Sequence, residues 1–162
     1  QNLISNSPME AKKSRNLTQA AQNMESIFIQ GTENTPEFNF DVENLFIALT
    51  GHSKIKKTDG FYQKITEYIE KIEKIKPIRL EIEFNLNTIC RNSKRGILFF
   101  LLRIKEVQMH LNTEVTINWL YKHNNDLVKV IGEDLEYMVM IPIQLKPIKK
   151  DSSPALELEE SF

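Results

Sequence analysis

Residues 78–86 read Ile-Arg-Leu-Glu-Ile-Glu-Phe-Asn-Leu, with Ile78, Leu80, Ile82, Phe84 and Leu86 on one side and Arg79, Glu81, Glu83 and Asn85 on the other. Period-two alternation marks a β-strand with one buried and one polar face. The polar face must meet water or a partner, so the sheet holding this strand is covered mainly on one side. Just upstream, over residues 58–75, Phe61, Ile65, Tyr68, Ile69, Ile72 and Ile75 recur at intervals of three and four. That spacing predicts an amphipathic helix stopped before Pro77. Downstream, Ile97, Leu98, Leu101, Ile104, Val107 and Leu111 form the stripe of a second helix, with Ser93 as its expected N-cap.

The same alternation of periods extends outward in both directions. Residues 26–30, 37–41 and 44–50 read as an N-terminal antiparallel group of strands, joined by turns over 31–36 and 51–57. Val115, Ile117 and Trp119 mark another strand, and residues 126–138 a third helix that Gly132 weakens. Residues 139–146 read as a last strand in which Pro142 suits an edge or a bulge. The order predicts a single α/β domain with a mixed β-sheet of about five to six strands and about three helices mainly on one face. Residues 1–24 are expected to be a flexible leader and residues 149–162 a flexible acidic tail, with the folded domain over 25–148. Leu156, Leu158 and Phe162 among acids leave room for a docking role in the tail.

Composition narrows the function. The chain has 162 residues, with 21 Lys and Arg against 22 Asp and Glu. That balance argues against broad binding to nucleic acid or an anionic membrane, which needs a cationic surplus. The single cysteine, Cys90, excludes an internal disulfide framework and a multi-Cys zinc site, and fits a reducing cytoplasm. His52, His110 and His123 are too scattered for a metal cluster. The longest apolar run, residues 96–102, is far short of the roughly 20 residues that span a bilayer. No catalytic residue, metal or cofactor is expected.

Enzyme signatures are missing: the sequence has no phosphate loop, no Gly-x-Gly-x-x-Gly, no His-Glu-x-x-His and no Gly-x-Ser-x-Gly. The carboxylate pairs Glu81 with Glu83 and Glu133 with Asp134 read as solvated faces. Cys90 would qualify as a nucleophile only if Arg91, Lys94, Arg95 and a helix start stabilised its thiolate. The most informative stretch is residues 86–96, Leu-Asn-Thr-Ile-Cys-Arg-Asn-Ser-Lys-Arg-Gly, expected to be a loop between strand and helix. Hydroxyls, amides and cations at such a junction favour a phosphate, bound or covalently attached on Thr88 or Ser93. A covalent phosphate adds about −1.5 to −2 charges. A plainer reading accounts for the same residues: Ser93 caps the helix, Asn87 and Asn92 make turns, and the cations are solvated.

At this point the sequence resembles a family. Gly31-Thr32-Glu33-Asn34-Thr35-Pro36 is similar to the Gly-Thr-x-x-Thr-Pro opening of the SiaC family of regulatory phosphoproteins, formerly a domain of unknown function. Gly51, the long amphipathic helix, Leu86-Asn87-Thr88, Gly132-Glu133-Asp134 and Ile141-Pro142-Ile143 follow in the family's order. The resemblance covers about residues 25–148 and implies a STAS-like fold. It places the regulatory phosphothreonine at Thr88. Ile89, Cys90, Arg91 and Asn92 intervene before Ser93 and Lys94 where the family commonly has small hydroxyl residues, which makes Ser93 the reserve acceptor. Asn87, Thr88, Ile89, Arg91, Asn92, Ser93 and Lys94 would then form the partner-binding surface.

The resemblance further implies a bacterial partner-switching pathway in the cytoplasm, in which the protein is a ligand and substrate, not an enzyme. A Ser/Thr kinase of the histidine-kinase-like ATPase superfamily would phosphorylate it and a PP2C-type phosphatase would restore it. The unphosphorylated form would bind an effector such as a diguanylate cyclase, linking the switch to cyclic-di-GMP and biofilm behaviour. No nucleic acid and no membrane insertion are expected, and a homodimer is compatible with the sequence. The alternative is a constitutive interaction scaffold that uses the polar sheet face at Arg79, Glu81, Glu83 and Asn85, or an edge strand.

Overall fold

Tight connections permit antiparallel pairing, and the first three strands use them. In the computed structural model, which describes residues 23–149, β1 (Ile27–Ile29), β2 (Glu37–Asp41) and β3 (Phe46–Ser53) form an antiparallel meander. From there helices and strands alternate: α1 (Phe61–Ile75), β4 (Arg79–Ile89), α2 (Arg91–Leu111), β5 (Glu114–Lys122), α3 (Asp126–Val139) and β6 (Ile143–Ile148). The expected leader and tail lie outside the described residues, apart from positions 23, 24 and 149.

The six strands stand in one sheet in chain order, and the pairs β3–β4, β4–β5 and β5–β6 are parallel. Parallel crossovers are right-handed, and these three all step in the same direction, so their helices fall on the same face. The alternation of residues 78–86 thereby acquires its meaning. Leu80, Ile82, Phe84 and Leu86 are buried under the helices with Ile47, Leu49, Ile117 and Trp119. Ile65, Ile69 and Ile72 of α1, Ile97, Phe100, Leu101 and Ile104 of α2, and Leu135 of α3 fill the facing layer. Burial of each such side chain is worth about 1.5–3 kcal/mol.

Two helical glycines are packing devices. A Cβ on Gly96 would lie 2.5 Å from the Tyr62 ring, and one on Gly132 2.7 Å from the Trp119 indole. Gly132 therefore sits mid-helix because α3 presses directly on the Trp119 indole, whose Nε1–H donates to the Val128 carbonyl at 2.9 Å.

Several boundaries differ from expectation for identifiable reasons. Helix α1 begins at Phe61, not at residue 58, because the Asp59 carboxylate accepts the Phe61 N–H at 2.8 Å and starts the helix there. Strand β3 continues through Gly51, His52 and Ser53, which the turn residues had masked. Val139 is not the start of the last strand. It completes the buried helical stripe of Val128, Ile131 and Leu135, and the chain turns at Met140 in a left-handed conformation before β6 begins at Ile143. Pro142 precedes β6, and Pro147 lies within it, where an edge strand tolerates a missing N–H.

Candidate functional site

The stretch expected to be a loop, residues 86–96, is strand and helix. Asn87, Thr88 and Ile89 end β4, Cys90 alone links the elements, and Arg91, Asn92, Ser93 and Lys94 form the first turn of α2. What displaces the loop is a bulge. Gly51 pairs with Leu86 but His52 pairs with Thr88, so Asn87 is an extra residue in β4. A bulge re-aims the side chains that follow it. Leu86 and Ile89 both point into the core, while Thr88 faces the open side of the sheet beside His52. The Thr88 Oγ1 lies 3.1 Å from the His52 Nδ1. The carbonyl that the bulge frees, that of Asn87, accepts from Asn125 Nδ2 at 2.9 Å, and the Asn125 Oδ1 caps α3 by accepting the Val128 N–H.

Ser93 has the opposite environment and does not cap the helix; Cys90 occupies that position. Ser93 is fully buried. Its hydroxyl donates to the Ser53 carbonyl at 2.8 Å and accepts from the Ser53 hydroxyl at 2.7 Å, with the Ile55 N–H at 3.3 Å. The Tyr62 phenol lies 2.7 Å from the Ser53 hydroxyl and extends the chain into α1. Burial pushes the Tyr62 phenol pKa up, partly offset by Ser53. This network ties the end of β3 to the starts of α1 and α2, so Ser93 is a structural hydroxyl.

The remaining predicted residues divide in the same way. Ile89 is buried, Arg91 and Asn92 are exposed, and Lys94 makes an ion pair with Asp134 of α3 at 3.0 Å. Thr88, Arg91, Asn92 and Lys94 thus share the upper edge of the sheet, while Ile89 and Ser93 support it from within. Cys90 Sγ lies 3.3 Å from the Ser93 hydroxyl and 3.4 Å from the Ile55 carbonyl. Burial raises its pKa, but hydrogen bonds from Ser93 and from the N–H groups of the first helical turn outweigh that and leave the thiol below its ordinary value. Such lowering is what a helix N-terminus does to any thiol. Glu81 accepts from Asn118 Nδ2 at 2.9 Å on the open face, and Glu133 faces Lys129 at 4.0 Å. Among the described residues no group of three or more His, Cys, Asp and Glu side chains is placed to hold a metal ion.

His52 is the residue that sequence reading missed. Its signal was the parity of β3: continuing the alternation of Leu45, Ile47 and Leu49 past residue 50 puts His52 on the open face and Ser53 in the core. The turn over residues 31–36 joins the same edge. Thr32 Oγ1 accepts the Asn34 and Thr35 N–H groups, and the Asn34 carbonyl accepts the Lys54 N–H at 2.8 Å. Gly31 is required there, since a Cβ would meet the Glu37 nitrogen at 2.9 Å. The edge is therefore built from the turn over 31–36, the ends of β3 and β4, and the start of α2. Ligands of open α/β sheets bind outside these carboxyl ends.

The profile described as "SiaC family regulatory phosphoprotein" matches residues 29–148. Among curated proteins none matches the chain by sequence. Three solved structures share the fold. Apo-SiaC from Pseudomonas aeruginosa is 19% identical, with a TM-score of 0.68 over 76% of this chain and 99% of that one. A second structure of Pseudomonas aeruginosa SiaC is 18% identical, with a TM-score of 0.69 over 77% and 100%. The third is the diguanylate cyclase SiaD in complex with its activator SiaC from the same organism, at 18% identity and a TM-score of 0.68 over 75% and 99%. With the profile spanning strands β2 to β6 and all three helices, the chain belongs to the SiaC family of regulatory phosphoproteins.

Proposed function

We propose that this protein is the phosphorylated component of a partner switch, with Thr88 as the acceptor. The observation that carries the reading is the contrast between two hydroxyls. Thr88 stands half-buried on the open face at the end of β4, whereas the Ser93 hydroxyl is sealed beneath α2 and fully engaged. A Ser/Thr kinase of the histidine-kinase-like ATPase superfamily would transfer the γ-phosphoryl group of ATP to Thr88. The Oγ1–P bond forms, the bond to the ADP oxygen breaks and the hydroxyl proton is released. A PP2C-type phosphatase reverses the modification. The protein supplies no catalytic group of its own, and it works in the cytoplasm, where ATP is available.

The unphosphorylated edge formed by Asn87, Thr88, Arg91, Asn92 and Lys94 is the surface offered to an effector. SiaC of Pseudomonas aeruginosa activates the diguanylate cyclase SiaD, which supports a cyclase as the effector here. Adding about −1.5 to −2 charges to an edge where Arg91 is exposed and Lys94 is already paired with Asp134 makes that edge anionic and breaks the match. Incubation with the cognate kinase and ATP, followed by mass spectrometry, is expected to place one phosphate on Thr88. Modification that persists in Thr88→Ala overturns the assignment.

A second reading draws on the open face itself. Asn118 there is 4% exposed, and its Oδ1 is a buried side-chain oxygen without a hydrogen-bond partner among the described residues. A protein partner that bound over Glu81 and Glu83 and turned the Asn118 amide outward would supply the donor, as in a constitutive scaffold. Partner affinity that is unchanged by phosphorylation favours this reading over the switch.

A further inference from the structure

We infer that His52 is the phosphate-holding partner of Thr88: once Thr88 is phosphorylated, its phosphate is bound by the His52 imidazole. The inference rests on Thr88 as the acceptor. It starts from the 3.1 Å separation of His52 Nδ1 and Thr88 Oγ1, fixed by their direct pairing across β3 and β4. In the unmodified protein this contact works either way, since a hydroxyl donates or accepts and an imidazole nitrogen does the same in its two tautomers. Phosphorylation removes that freedom. The ester oxygen and the phosphate oxygens carry no proton to donate when the group is a dianion, so the ring nitrogen facing them must itself donate. A doubly protonated imidazolium does so with charge assistance, and that bond is stronger than a neutral one.

The site is preorganised. His52 and Thr88 project from neighbouring strands of a parallel pair, and the bulge at Asn87 sets their common side. The phosphate extends from Oγ1 by one bond, which keeps its oxygens within reach of a ring that is already in contact. The elements around β3 carry charged groups. Glu37 of β2 pairs with Thr50, two residues before His52; Lys54 follows β3; Arg91 opens α2; Lys122 ends β5; and Glu33 lies in the turn over 31–36. Among the described residues none of them forms an ion pair with His52, so the phosphate becomes its anionic partner.

The test uses the full chain with phosphothreonine installed at position 88 by genetic encoding, which makes it independent of any kinase. Imidazole titrations are followed by NMR in the phosphorylated and unphosphorylated proteins. His52 is expected to titrate about half a unit to one unit higher with the phosphate present, a shift appropriate to an exposed charge pair. His110 serves as the internal reference, because it sits in the last turn of α2, about 30 Å along a helix that begins beside the site. The imidazolium favours the dianion, so the phosphate's own second pKa, read by phosphorus NMR, falls as well, and His52→Gln abolishes that fall. A His52 titration that moves no more than that of His110, or a phosphate pKa unaltered by His52→Gln, overturns the inference. Failure of the kinase to modify Thr88 would instead refute the acceptor assignment, and the installed phosphate would still report on His52.

Discussion

Thr88 owes its place on the open face to one extra residue in β4. Without Asn87 as a bulge, simple alternation would put Thr88 on the core side with Leu86 and turn Ile89 outward. Five residues away, Ser93 shows what a core-facing hydroxyl becomes in this fold, an acceptor for Ser53 and Ile55 and a donor to the Ser53 carbonyl. The two hydroxyls should therefore respond oppositely to the same deletion. Ser93→Ala leaves the buried Ile55 N–H unpaired and the Ser53 hydroxyl with Tyr62 alone, and is expected to lower unfolding free energy by about 1–3 kcal/mol while leaving phosphorylation of the folded protein intact. Thr88→Ala loses only a contact to an exposed imidazole and should cost no more than about 1 kcal/mol while abolishing phosphorylation. Urea denaturation read beside phosphate incorporation separates the two; a stable Ser93→Ala protein would contradict the buried network.

Among the elements, the long ones were legible and their junctions were not. The stripes of α1 and α2 and the alternation of β4 are strong because each repeats one period over many residues. At residues 87–93 the same residue types stand for different things. Asn87 makes a bulge instead of a turn, Ser93 closes a core network instead of capping, and Cys90 takes the cap position that sequence rules reserve for an oxygen. Gly132 misleads in the other direction, since helix propensity counts it as a breaker while packing requires it. Replacing it sets the two effects against each other. Gly132→Ala gains up to about 1 kcal/mol in helix propensity, but its Cβ would lie 2.7 Å from the Trp119 indole and 2.9 Å from a Leu145 methyl. Overpacking of that kind costs about 1–3 kcal/mol, so net destabilisation is expected, read as a lower melting temperature with a perturbed tryptophan emission. A raised melting temperature would show that α3 can lift off β5 freely.

For the molecule as a whole, the one-sided sheet creates two surfaces that could meet a partner, the upper edge around Thr88 and the middle of the open face. The strand order makes them separable, because Thr88 ends β4 while Glu83 lies halfway along it, five residues lower on the same side. Their partners on β3, Ala48 and His52, are four residues apart, so at about 3.3 Å per residue they stand some 13 Å apart, beyond the Debye length of roughly 8 Å at physiological ionic strength. A charge change at one is thus largely screened from the other. If the edge is the effector surface, Thr88→Asp should weaken binding to the cognate diguanylate cyclase by roughly tenfold or more, about 1.4 kcal/mol or above, although one carboxylate carries less charge than a phosphate. Glu83→Lys, a larger change of charge, should alter the same affinity by less than about threefold, since it sits outside the screened neighbourhood of the edge. Titration calorimetry of both variants against the cyclase gives the ratio directly. The reverse ranking, with Glu83→Lys disruptive and Thr88→Asp neutral, would place the partner on the open face, over Glu81, Glu83 and the buried Asn118.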